Sequence, residues 1–419
     1  MNLRNLFPSL CLRRLSGRRA FGQVLVLVAG LAFAIWPQAP AAPPPVASAA
    51  AASLRARALT ALQQGHKRLA ARRFQRALQA DPNWVQGWWS LGTLLYDGNQ
   101  YPAAAVAYAR LTRLIPHAGA PWVMLGLCDF EMRNYGLSLQ HIQEGRALGL
   151  PPDKNLQAVA LYHQIQDLLA VGNFVHAGFL VRTFANKHQA YPGIILAAGL
   201  AALRYPLITE NLKTVMTRAR YRLIRDVGEA VYLARERKLD LARARMAALV
   251  RQYPRVPFLH YTYADILRSA GLRPQAEAEM QRELEVNPNS VTALLQLCAD
   301  KLEDNQKPAA LALARKAGAL APDNFAVYYM LALIQFRSGH PRQALKPAQQ
   351  SQLLSPDDSQ VSYLLAQIDI RLHRTADARR EYQRFQRLRK ISSTYMNEGV
   401  LPASVYLHPH PPAPGPATH

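Results

Sequence analysis

Four prolines, Pro254, Pro288, Pro322 and Pro356, stand 34 residues apart, and each closes a segment with helical periodicity. A unit that short is too small for a hydrophobic core of its own, so a chain that keeps the interval must stack its units and bury their shared faces. The same interval separates Trp88, Leu91 and Gly92 from Trp122, Leu125 and Gly126. The first of these motifs runs on through Leu95, Ala104 and Tyr108 to Pro116. Repetition therefore governs both ends of the chain.

The phase of the repeat can be checked column by column. With each proline as the thirty-second residue, units start at 51, 85 and 119, and again at 223, 257, 291, 325 and 359. The twentieth position is then Ala70, Ala104, Ser138, Ala242, Ala276, Ala310, Ala344 and Ala378, and the eighth is Ala58, Gly92, Gly126, Ala230, Ala264, Cys298, Ala332 and Ala366. Small side chains in both columns let two helices of a hairpin approach closely. Leu91, Leu125, Leu297, Leu331 and Leu365 fill the seventh position and Trp88, Trp122, Leu294 and Tyr328 the fourth, which makes both columns core. The pattern weakens where Arg57 and Glu229 take the seventh position and Asp226 and His260 the fourth. Gly65, Gly271 and Gly339 mark turns between helices, and the prolines stop the second helix of each unit.

A period of 34 with Trp, Leu-Gly, Ala and Pro at these offsets resembles the tetratricopeptide repeat, whose unit is a pair of antiparallel helices. The resemblance implies an all-α fold, a right-handed α-solenoid of about ten such helix pairs. It divides the chain into an N-terminal array at 53–152, two degenerate repeats at 153–222 and a C-terminal array at 223–392. The middle segment is two residues longer than two units, and Pro192 and Pro206 fall out of register, so a bend or a bulged repeat is expected there.

The ends differ from the arrays. Residues 1–36 combine Arg4, Arg13, Arg14, Arg18 and Arg19 with an uncharged apolar run from Phe21 to Trp36, the pattern of a signal peptide or an N-terminal membrane anchor. Arg18-Arg19 also resembles the core of a twin-arginine export signal. A Pro/Ala-rich linker follows at 37–52, and a Pro/His-rich tail expected to be disordered occupies 393–419. The chain is therefore expected to be exported and bacterial in style, either periplasmic or anchored in the inner membrane. Its net charge of +23 favours anionic partners, an anionic membrane surface among them, and a basic helix carries Arg379, Arg380, Arg384, Arg387, Arg389 and Lys390. Cys11, Cys128 and Cys298 lack metal-ligand spacing, and the latter two read as small packing residues. No metal or cofactor is expected.

No P-loop, G-x-S-x-G, H-E-x-x-H or Rossmann glycine pattern occurs, and the repeats leave no room for a separate catalytic domain, so the chain is read as non-enzymatic. The resemblance places the second, fifth, ninth, twelfth and thirteenth positions of each first helix on a concave face. There the chain carries Trp89, Tyr261, Tyr329 and Tyr363 at the fifth position, Tyr96, Phe130, Arg268 and Phe336 at the twelfth, and Arg235, Arg337 and Arg371 at the thirteenth. Aromatic rings beside arginines can hold a peptide by apolar, cation-π and charge contacts, or they can pack between adjacent repeats. The Lys/Asn pattern of carboxylate-clamp domains is missing. The reading is a scaffold that binds a protein or peptide in this groove within the cell envelope. Two alternatives stand beside it: a helical-repeat protein for nucleic acid or anionic surfaces, and an accessory subunit of an envelope polymer or protein export or assembly system. Export removes most nucleic acid from reach, so a nucleic-acid partner is not expected.

Overall fold

A computed structural model describes residues 49–187, 192–206 and 217–398 of the chain, which form two compact units divided at Ala197/Ala198. The apolar run, most of the linker, and the tail beyond Glu398 lie outside the described residues, and with them the signal-peptide or anchor reading. Among the described residues there are nineteen helices and no strand. The fold is all-α, as the repeat implies.

The first unit contains the pairs α1 (Ala49–Gln63) and α2 (Lys67–Ala80), α3 (Val85–Asp97) and α4 (Tyr101–Leu114), α5 (Gly119–Glu131) and α6 (Tyr135–Ala147), then α7 (Lys154–Ala170) and α8 (Phe174–Lys187). Helix α9 (Pro192–Ala202) spans the division. The second unit continues with α10 (Arg218–Arg235) and α11 (Leu239–Gln252), α12 (Leu259–Ser269) and α13 (Arg273–Val286), and α14 (Val291–Glu303) and α15 (Lys307–Leu320). It ends with α16 (Phe325–Arg337) and α17 (Pro341–Leu354), then α18 (Ser359–Arg371) and α19 (Thr375–Glu398). Within each array the second helix of one pair packs on the first helix of the next. Helix α1 opens at Ala49, inside the stretch read as linker, because the run after Pro45 is nearly all alanine, the strongest helix former. Helix α19 runs on to Glu398, inside the stretch read as tail, because nothing breaks it before Gly399 and Pro402.

The turns carry the clearest signature. Besides Gly149 and Phe258, ten described turn residues are left-handed: Gly65, Asn99, Arg133, Gly172, Arg204, Arg237, Gly271, Asn305, Gly339 and His373, with φ between 53° and 80°. In each, the following N–H donates to the carbonyl five residues back, as in Gln100 to Leu95 at 2.9 Å, Tyr205 to Leu200 at 3.0 Å and Leu272 to Leu267 at 2.9 Å. That is the Schellman closure of a helix C-terminus. Eight of the ten sit at the fifteenth position of their units, although glycine fills only three of those eight. The other two, Gly172 and Arg204, are the turns of the degenerate repeats. The irregular middle is a helix-length effect: α7 has 17 residues where α3 and α5 have 13, and this pushes its turn out of the 34-residue step.

Two further contacts set the spacing of the pairs. At the eighth position, a Cβ on Gly92 would lie 2.9 Å from the Tyr108 ring, and one on Gly126 would lie 2.9 Å from the Ser138 carbonyl, so the small column admits the second helix. At the fourth position, Trp88 Nε1 donates to the Pro82 carbonyl at 2.8 Å and Trp122 Nε1 to Pro116 at 3.3 Å. His260, an apparent blemish in that column, places Nε2 3.0 Å from the Pro254 carbonyl and Nδ1 2.6 Å from Glu279. Both acceptors are satisfied together only by the protonated ring.

Two outcomes follow for stability. Arg237 is exposed at φ 63°, and Gly271 holds the equivalent turn at φ 76°. Arg237→Gly should stabilise the chain by up to about 1 kcal/mol in chemical denaturation and Gly271→Ala should destabilise it by about 1 kcal/mol or more, since a side chain is strained in that conformation. For His260, the Glu279 hydrogen bond raises the pKa above 6.5, against desolvation, with the Pro254 carbonyl and Glu283 also favouring the charged ring. Its contribution is therefore full below pH 6.5 and is lost as pH rises through the elevated folded value. Thermal melts across that interval should show a loss of stability that His260→Gln abolishes.

Candidate partner-binding groove

The first helices supply the face on which a ligand would lie, and the two units use it differently. In the first unit, Trp89 is buried at 7% exposure, its ring edge-on to Tyr108 with centroids 5.7 Å apart. The glycine at position eight leaves the space that Tyr108 fills, and Trp89 closes over it. The groove expectation for Trp89 is corrected accordingly: the side chain is part of the hydrophobic core, although its indole N–H has no hydrogen-bond partner. Tyr96 is also core, packed edge-on against Tyr101 at 5.3 Å, and burial pushes its hydroxyl pKa up. Phe130 is half-buried between Tyr135 at 5.5 Å and the His163 ring at 4.7 Å. Burial lowers the pKa of His163 to about 4, so the ring against Phe130 is neutral at pH 7.

In the second unit the arginines expected to steer a ligand divide into two kinds. Arg268 makes a two-pronged ion pair with Asp300, at 2.6 and 3.3 Å, where the carboxylate is almost fully buried. Arg235 lies 3.9 Å from Asp265. Both contacts run from one first helix to the next, so these arginines tie adjacent repeats together, a correction to their role as free steering charges. The partners were missed because each acid stands about one unit downstream, at the ninth or tenth position; an Arg followed by Asp at that distance on the same face is the readable signal. Tyr261 is half-buried and its hydroxyl pKa is raised, first by burial.

Arg337 and Arg371 are exposed, and neither pairs with a carboxylate among the described residues. Arg371 stands 5.9 Å from the Phe336 ring centroid, so two residues of successive units meet as a cation over an aromatic face. Tyr329 is half-buried, and burial raises its hydroxyl pKa. Tyr363 is 39% exposed and packs 5.0 Å from Phe385 of α19. Ile370, which the sequence did not single out, is 63% exposed beside Arg371. Five of the expected residues thus lie on α16 and α18, namely Tyr329, Phe336, Arg337, Tyr363 and Arg371, and of these Phe336 and Arg371 meet.

The remaining chemistry is sparse. Cys128 and Cys298 are buried and free, and burial pushes the Cys298 thiol up to about 11, which suits packing residues. Among the described residues no three His, Cys, Asp or Glu side chains gather as metal ligands do. No described helix is long and apolar enough to cross a membrane.

Comparison with known proteins matches a tetratricopeptide-repeat model at residues 55–119 and a second such model at 301–368. No curated protein matches the sequence. Solved structures that align with it include MamA 41-end from Desulfovibrio magneticus RS-1, at 18% identity, TM-score 0.37, covering 40% of this chain and 96% of that one. The Cut9-Hcn1 hetero-tetramer of the APC/C aligns at 12% identity, TM-score 0.36, covering 82% of this chain and 88% of that one. The matched segments lie one in each unit, and over them the helix pairs are tetratricopeptide repeats.

Proposed function

We propose that the chain is a non-enzymatic scaffold that holds an acidic, apolar-containing peptide segment of a protein partner against α16 and α18. Tetratricopeptide repeats serve protein–protein interaction, and the arrangement of residues supports this narrower reading. The observation that carries it is the pair Phe336 and Arg371, at 5.9 Å, with Arg337 and Tyr363 exposed on the same two helices and no carboxylate paired with either guanidinium among the described residues. Such a surface offers a stacking face and two cations at once, which an acidic partner residue beside an aliphatic or aromatic one satisfies. The basic n-region and apolar run at the N-terminus support a location in the cell envelope, either periplasmic or held at the inner membrane.

Capture from an envelope extract tests the groove. The full chain should retain one dominant partner, and the double variant Tyr363→Ala with Arg371→Gln should lower recovery by about tenfold or more, a loss typical of a disrupted hot spot. Arg57→Gln, far from the groove in sequence and exposed, should leave recovery unchanged. Equal recovery by the double variant overturns the assignment, and fractionation that finds the chain only in the cytoplasm overturns the location.

A further inference from the structure

The first unit presents a second surface, independent of the groove, on the sides of its second helices that face away from the core. On α2 the buried face is Ala70, Phe74, Ala77 and Leu78. Arg68, Arg72 and Arg76 recur every four residues on the opposite side, and all three are exposed. The neighbouring basic groups are held within the fold: Arg55 pairs with Asp81, Lys67 with Asp97 at 3.2 Å, and Arg73 donates to the Arg57 carbonyl at 3.1 Å. Those two acids are thereby already engaged. Residues 1–80 contain no Asp or Glu, and neither does α4, whose outer face adds Arg113. The first acid on a second helix is Glu144 of α6.

Large apolar side chains are interleaved with these charges. Leu69 is 40% exposed, Val106 67% and Leu137 49%. Leu69 and Leu137 share the nineteenth position of their units, and Val106 takes the position that Arg72 holds on α2, so repeat stacking lines them up on one side. Arginines without acids favour any polyanion, but the aliphatic groups among them find no use on a phosphodiester backbone and are at home among acyl chains at a headgroup boundary. The chain joins the start of α1 to the apolar run from Phe21 to Trp36 through residues 37–48, a span of at most about 40 Å even when fully extended.

We infer that the outer face of α2, α4 and α6 docks on an anionic lipid bilayer, with Arg68, Arg72 and Arg76 at the headgroups and Leu69, Val106 and Leu137 at the acyl boundary. The partner groove on α16 and α18 plays no part in this contact. Vesicle flotation of the full chain tests it, using phosphatidylcholine alone against phosphatidylcholine with about one third phosphatidylglycerol. Residues 21–36 are common to all samples, so the readout is the difference between the two vesicle types. The wild type should prefer the anionic vesicles, and added salt should erode the preference.

The variant Arg68→Gln, Arg72→Gln, Arg76→Gln should lose roughly a hundredfold of that preference, given the usual contribution of each basic residue near such a surface. These three side chains make no bond that holds the hairpin, and a wild-type thermal melt confirms that the variant is folded. Val106→Ser with Leu69→Ser should weaken anionic binding several-fold without changing its salt dependence. Unchanged flotation of the triple variant overturns the proposal, as does equal wild-type binding to both vesicle types. So does a triple variant that loses single-stranded RNA binding while floating normally, an outcome that would reassign the face to nucleic acid.

Discussion

A ring nitrogen at the fourth position of one unit, donating to the proline carbonyl that ends the unit before it, fixes the step between pairs at three of the joints. Trp88 on Pro82 and Trp122 on Pro116 make it in the first unit, and His260 on Pro254 in the second. The proline has already ended its helix, and its carbonyl has no partner further along the chain. A donor from the next helix satisfies that carbonyl and fixes the step between pairs. An indole does this at any pH, whereas an imidazole also engages Glu279 and so makes the same joint sensitive to protonation. The column that looked broken at His260 is conserved in role and altered in chemistry.

The repeat's fold was legible because its spacing rules are local. A small residue at position eight, an alanine at position twenty and a proline at the unit's end can each be read one unit at a time, and the glycine contacts with Tyr108 and Ser138 show what those columns do. The turns were legible only in part. Glycine announces a left-handed residue, but Asn99, Arg133, Arg237, Asn305 and His373 adopt the same conformation because the flanking helices impose it. The middle was obscure for another reason. Its turns at Gly172 and Arg204 obey the same hydrogen-bond rule, yet the longer α7 displaces them, and a phase counted from prolines cannot register a helix that lengthens.

The groove was less legible than the fold, since which residues of a face remain available depends on neighbours about one unit away. Arg268 and Arg371 sit at adjacent positions near the ends of first helices three units apart, yet one is consumed by Asp300 and the other rests over Phe336. Likewise Trp89 and Tyr363 share the fifth position, but Tyr108 accepts the first into the core, while the second packs on Phe385 and stays exposed. Position names the candidates, and the acid or ring on the adjacent helix decides among them.

The twelfth position shows why availability increases toward α18. Leu302 of α14 is 5% exposed with a further first helix, α16, packed beyond it; Ile370 of α18, at the same position, is 63% exposed. The side chains are nearly the same size, so the difference is one of place. A stack buries each face with the next unit, and its last described pair has none. Exposed Tyr363, Ile370 and Tyr382 are the same surface that inner repeats hide, so the end of the array carries its apolar character outward beside two unpaired arginines. The groove is concentrated there because no described pair follows α18 and α19 to consume these positions as the inner pairs do.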